Sequence, residues 1–309
     1  MAPLEIRIGP ELGETGVLGL LAAVDFFPSE QPDEISVLVG APDAWGGPAI
    51  RAVLAAAIAT YPSKRTLSVG PLPISEPEGW MDFYAALGEQ FKFGGASPRP
   101  EPGRFFPLRW VTDAAELDPV SKEIAGVLTD DPDARRFLEY LVDELLENAL
   151  HHGEWERGAL VGAQFFPKSQ RAQLVIADCG QGVRRHLSWN PDLSVESDQA
   201  ALDLALRPWV TGTAGQSRLN RAVYGHVGCG LPMAAGLVTE TDGVLLLASG
   251  AAGHRIDREG RHGAAIRPWR GTVVVVDVLR PRLRDFAQVS RRVRERFGPR
   301  PARRPLRFG

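Results

Sequence analysis

Cysteine is nearly absent from this 309-residue sequence: Cys179 and Cys229 are the only two, and two thiols make no disulfide framework. A reducing cytoplasm is the expected compartment. Long apolar runs are missing as well. The longest, from Val17 to Phe27, is broken by Gly19 and Asp25 and falls well short of the ~20 residues that a membrane-spanning helix needs, so no membrane partner is expected. The amino terminus has no basic start followed by an apolar stretch and a small-residue cleavage site, and a secretory signal is not expected either. No unit of about 20 to 50 residues recurs, which argues against a solenoid. What the chain does have is a 44% hydrophobic and 24% charged composition. At this length roughly three quarters of the unfolded surface can be buried, so folding needs neither disulfides nor a structural metal.

The net charge of −3 conceals an asymmetry. From Arg280 to Gly309 there are 11 Arg against Asp285 and Glu295, a local balance of +9 that leaves −12 on everything before it. Such a block serves either as an interaction tail for an acidic partner or as a solvated terminal helix.

Residues 1–95 alternate short β-branched runs with Ala/Leu-rich segments. Strands are expected at Leu4–Ile8, Ile35–Val39 and Arg65–Val69, and helices near Val17–Phe26, Pro48–Thr60 and Trp80–Leu87, which makes a small α/β unit. Residues 96–109 read as a linker, with Ser97 and a succession of prolines at 98, 100, 102 and 107. Beyond it, Thr129-Asp130-Asp131-Pro132-Asp133 is an acidic cap-and-proline start for a helix to about His151, with Leu138, Leu141, Leu145 and Ala149 as its core stripe. Strands follow at Gly158–Phe166 and Ala172–Ala177. An irregular stretch, Arg184–His226, contains one strong helix at Asp198–Leu206; a loop of that length is commonly either a functional lid or disordered. A helix at Leu231–Val238, strands at Val244–Ala248 and Thr272–Val278, and a terminal helix at Leu283–Phe297 complete the pattern.

Three segments carry chemistry. Glu144, Asn148 and His152 are spaced i, i+4, i+8, which lines a carboxylate, an amide and an imidazole along one helix face. Asp178-Cys179-Gly180-Gln181-Gly182 puts an acid and two glycines at the end of an apolar strand. Gly225-His226-Val227-Gly228-Cys229-Gly230-Leu231-Pro232 runs glycine into a helix start, leaving N–H groups and the positive end of the helix dipole for an anion. Each alone also has a plain structural use, as a solvated helix face or a turn.

Taken in order, with Gly271-Thr272 on a later strand, these segments resemble the N, G1, G2 and threonine boxes of the GHKL superfamily. That superfamily holds gyrase-type, chaperone and mismatch-repair ATPases, histidine kinase catalytic domains and anti-sigma-factor serine kinases. The resemblance spans about residues 110–280. For that span it implies a Bergerat-type two-layer α/β sandwich, which makes the expected fold α/β throughout, with the small α/β domain before the C-terminal sandwich and an Arg-rich helix and tail at 281–309 after it. It further implies ATP and Mg²⁺ as cofactors, with Asn148 coordinating Mg²⁺ and Glu144 orienting or deprotonating the attacking group. Asp178 would accept a hydrogen bond from the adenine amino group, which favours ATP over GTP because guanine turns an acceptor toward the same carboxylate. Gly180 and Gly182 would approach the nucleotide, Gly228, Gly230 and Leu231 would cradle phosphates, and Thr272 would support the adenine side.

The residue four before the asparagine is a carboxylate here, as in the ATPases and serine kinases, and not the amide common in histidine kinases. None of the six histidines is followed by an acid, which argues against a self-phosphorylating sensor. Pro232 stands where many relatives of this type carry another glycine. His151 follows the motif where lysine is common and either contacts a phosphate or lies exposed. Arg218 and Arg221 in the lid are further phosphate candidates. Cys179 and Cys229 either approach one another across the pocket or act as small buried spacers. The first unit faintly resembles STAS-like anti-sigma antagonists, with a generic interaction or sensing unit as the alternative. The expected function is ATP hydrolysis or phosphorylation of a protein partner in trans. Alternatives are an ATP-gated switch with negligible turnover and, prompted by the basic tail, a nucleic-acid-linked ATPase.

Overall fold

The computed structural model describes residues 4–8, 16–29, 34–39, 47–61, 66–70, 83, 86–87, 104–153, 156–212 and 228–299. It is mixed α/β, and its centre is a five-stranded antiparallel sheet. In chain order the strands and helices are β1 (Leu4–Ile8), α1 (Gly16–Ala23), β2 (Glu34–Val39), α2 (Pro48–Ile58), β3 (Thr66–Gly70), β4 (Phe105–Val111), α3 (Leu117–Leu128), α4 (Pro132–Gly153), β5 (Ala159–Phe166), β6 (Arg171–Ala177), α5 (Gly182–Leu187), α6 (Asp198–Ala205), α7 (Gly230–Glu240), β7 (Val244–Asp257), β8 (Gly260–Leu279) and α8 (Phe286–Phe297). The central sheet has the order β4-β5-β6-β8-β7, while β1, β2 and β3 form a separate parallel sheet in chain order.

Alternation along the central strands explains why both faces are covered. Leu174 and Ile176 of β6, Val274, Val276 and Val278 of β8 and Leu245 and Leu247 of β7 belong to one hydrophobic cluster with α3, α4, α7 and α8. Their neighbours Val175, Ala177, Val273, Val275, Leu246 and Ala248 belong to another, shared with Ile6, Val17, Leu20, Leu21, Phe26 and the apolar face of α2. With period-two geometry, an uninterrupted run such as Val273–Val276 must supply two cores at once. The first α/β unit therefore covers the back of the central sheet.

Several elements depart from the sequence expectation. β4 begins at Phe105, inside the segment expected as linker, with Phe106, Leu108 and Val111 buried; it is the edge strand of the central sheet, and its pairing with β5 shifts register across Pro107, where proline is tolerated. Residues 96–103 and most of the expected Trp80–Leu87 helix lie outside the described residues. β7 and β8 run well past Ala248 and start well before Thr272, as one long hairpin closed by Arg258 and Glu259 between the paired Asp257 and Gly260. Its Arg- and Gly-rich sequence lacks the apolar run by which the inner half was read. The terminal helix is shorter than expected and is preceded by a 3-10 turn at Arg280–Arg282. No described helix is long and apolar enough to cross a membrane.

Candidate functional site

The site is built around α4. Its start is capped by Asp131, whose Oδ1 accepts from Asp133 and Ala134 N–H at 3.0 and 2.8 Å. From there Phe137, Leu138, Leu141, Val142, Leu145 and Leu146 face the core, so the helix must turn Glu144 and Asn148 the other way, along the rim of a cavity. That cavity is lined by Glu144, Glu147 and Asn148 from α4, Asp178 after β6, Gly182, Val183 and His186 of α5, Gly228, Gly230 and Leu231 at the start of α7, and Thr272 of β8. Ile176, Leu145, Leu247 and Val274 make its wall apolar.

Asp178 lies at the bottom. The residue is 1% exposed, and its carboxylate accepts from Gly180 N–H at 2.9 Å and Thr272 N–H at 3.2 Å. Its own N–H donates to the Thr272 carbonyl at 2.9 Å. Burial pushes the carboxyl up to about 7, against the pull of the two N–H donors. A carboxylate held in this way is anchored by two donors and still borders the cavity, where a ligand's N–H would favour the charged form.

Two glycines are required by shape. Gly271 has φ +83°, and a Cβ there would run into Asp178 and within 2.6 Å of Gly180 N. Gly182 has φ +75° and would bring a Cβ within 2.9 Å of Ser249 Oγ. Ser249 is buried and was not singled out from the sequence. Its hydroxyl donates to the Gly271 carbonyl at 2.6 Å and accepts from Val183 N–H at 3.0 Å, fastening the start of α5 to the bend in β8. Only the β7–β8 register brings these residues together, so no local signal marked it.

At the other end, α7 begins with no side-chain cap from Cys229, which leaves its first N–H groups beside the cavity. Glu144 faces this helix start: a Cβ on Gly230 would fall on Glu144 Oε2 and lie 3.5 Å from Asn148 Nδ2. Tyr140, one turn before Glu144, hydrogen-bonds to its carboxylate, and burial with that negative charge raises the phenol well above its ordinary value. Further potential metal ligands, Asp257, Glu259 and His262, cluster at the β7–β8 turn, where Glu259 and His262 are exposed. None of these three lines the cavity.

No family model, curated protein or solved structure matches this chain. Glu144, Asn148, Asp178, Gly182, Gly228, Gly230, Leu231 and Thr272 all line the cavity, and Gly180 sits just behind it as a donor to Asp178. His186, Glu147 and Thr211 are lining residues that the motifs did not include. His186 is buried, which holds its imidazole below the usual value; it sits one turn after Gly182, and only the existence of α5 could have revealed it.

The cysteines do not meet across the cavity. Cys179 turns its thiol to the Ala56 carbonyl of α2 at 3.4 Å, behind the sheet; no disulfide joins the two cysteines, and both are buried. His151 is exposed, 3.9 Å from Glu147. Arg218 and Arg221 lie outside the described residues. Within the expected lid, residues 184–212 hold most of α5 and all of α6, and Trp209 N–H donates to the Gly228 carbonyl at 2.9 Å; residues 213–227 lie outside the described residues.

Proposed function

We propose that this chain binds ATP with Mg²⁺ in the cavity between α4, α7 and β8, as a GHKL-type ATPase or protein kinase with a Bergerat-type arrangement of the central sheet and its helices. One observation carries the proposal. Four motifs spread from residue 144 to residue 272 converge on a single cavity, with a buried carboxylate at the apolar end and a helix amino terminus at the other. An adenine would lie against Ile176, Val274 and Leu247 and donate its amino hydrogen to Asp178. Phosphates would meet the N–H groups of Gly230 and Leu231, where the helix dipole favours negative charge. The oxygen of Asn148, with phosphate oxygens and water, suits a hard cation. When bound, the cation would supply charge neutralisation for the transferring phosphate. Glu144, set against the α7 start and held by Tyr140, is placed to take a proton from water or a hydroxyl.

Substitution separates binding from turnover. Glu144→Ala is expected to keep Mg-ATP binding while phosphate release or phosphotransfer falls by about 10²–10⁴-fold; undiminished turnover would remove Glu144 from the mechanism. Asn148→Ala is expected to weaken Mg-ATP binding itself. A gated switch is the second form of the same proposal: it predicts nucleotide-dependent protease protection of the expected lid, Arg184–His226, without phosphate release. A protein partner, of STAS or other regulator type, is the proposed acceptor.

A further inference from the structure

The main chain of Asp178 is fixed from the side of the sheet away from the cavity. Across β7 and β8, Thr272 pairs with Ser249 and Trp269 with Gly250, so Arg270 and Gly271 are extra residues on β8. A bulge of this kind bends the strand and re-aims the side chains beside it. Here it lets both flanking residues reach Asp178. Thr272 bonds its N–H and carboxylate, while the indole N–H of Trp269 donates to its carbonyl at 3.0 Å in a buried bond. Trp269 is in turn held by the first α/β unit: the rings of Phe26 and Phe27, after α1, meet it edge-on at 5.7 and 5.4 Å. Arg270 lies 5.2 Å over the Phe27 ring. The next residue after Asp178, Cys179, bonds to Ala56 of α2.

We propose that Trp269 is a positioning residue for the base-recognising turn at Asp178, and that Phe26 and Phe27 make the first α/β unit a determinant of which nucleotide base the cavity accepts. The proposal rests on the nucleotide reading of the cavity. Asp178 reads a base only if its carboxylate stays at the cavity end while Gly180 and Thr272 occupy its other lone pairs. Without the indole N–H, the buried Asp178 carbonyl loses its donor and the turn must shift to find another.

The test uses the full chain and two measurements. The first is competition binding of ATP against ITP, which carries a carbonyl in place of the adenine amino group. Trp269→Phe keeps an aromatic ring against Phe26 and Phe27 but removes the donor, and it is expected to shrink the ATP-to-ITP preference about tenfold. Phe27→Ala should shrink it by less, and Trp189→Phe, at an exposed tryptophan, should leave it unchanged. Equal weakening of ATP and ITP would mean a purely structural role and would overturn the proposal. The second measurement needs no nucleotide. In the ligand-free chain, Trp269→Phe should lower hydrogen-exchange protection of the Gly180 and Thr272 amides more than that of the β5 amides. Unchanged local protection would overturn the positioning role. A wild-type chain that bound neither nucleotide would refute the base-selection part together with the proposed function, and exchange would still decide whether Trp269 holds the turn.

Discussion

Asp178 sets the ligand requirement of the cavity against the stability of the fold. Its carboxyl is raised to about 7 because burial penalises the charge more than two N–H donors favour it. Between the ordinary carboxylate value and about pH 7 the folded chain then holds a proton that the unfolded chain has lost, so stability falls as pH rises through that window. Chemical denaturation across about pH 4 to 8 should show this decline, and Asp178→Asn should lessen it, leaving the part due to Asp143, whose carboxyl is raised by burial to about 6. Binding runs the other way. A donor from the ligand favours the ionised carboxylate, so affinity for adenosine, which has no phosphate to titrate, should rise over the same range in the wild type and not in Asp178→Asn. Asp178, Glu144 and Asn148 were legible in the sequence because each sits in a short motif with fixed spacing. Ser249 and Trp269 were not, because their roles depend on the β7–β8 register and on a bulge that no local pattern encodes.

The helices and strands around the site place two glycines under different constraints. Gly271 needs positive φ and close approach to Asp178, so Gly271→Ala should destabilise the chain by about 1–3 kcal/mol and abolish nucleotide binding, measured by thermal midpoint and titration. Gly230 has an ordinary helical conformation, and alanine there favours α7. Its added methyl would nevertheless displace the Glu144 carboxylate. Gly230→Ala is therefore expected to preserve or raise the thermal midpoint while phosphate release falls. The expected helices α4 and α7 and the inner halves of β7 and β8 were readable from apolar period and capping. β4, whose Phe105–Val111 sequence contains Pro107 and follows a proline-rich stretch, was hidden by its composition.

Across the whole molecule, the described part of the basic segment, residues 280–299, is packed onto the fold. Leu283, Val289 and Val293 are buried in the main core, and the Phe286 ring meets Phe137 edge-on at 5.8 Å and Tyr140 at a tilt at 5.7 Å. Arg292 and Arg296 pair with Glu240, and Arg282 with Asp242. Truncation after Leu279 should consequently unfold or strongly destabilise the chain, since removing buried aliphatic side chains costs about 1–3 kcal/mol each. Replacing exposed Arg284, Arg291 and Arg294 with alanine should instead leave the thermal midpoint nearly unchanged, and it is the cleaner probe of any partner attracted by the +9 segment. The charge asymmetry was visible in the sequence. The helix's amphipathic seat against α4 and α7 depends on contacts far apart in the chain.

The most direct measurement is equilibrium titration of the full chain with ATP, with and without Mg²⁺, beside Asp178→Asn. Saturable, Mg²⁺-strengthened binding that Asp178→Asn abolishes, with adenine nucleotide preferred over guanine, is the expected result. No saturable binding, or binding indifferent to Asp178, would contradict the assignment of this cavity to ATP.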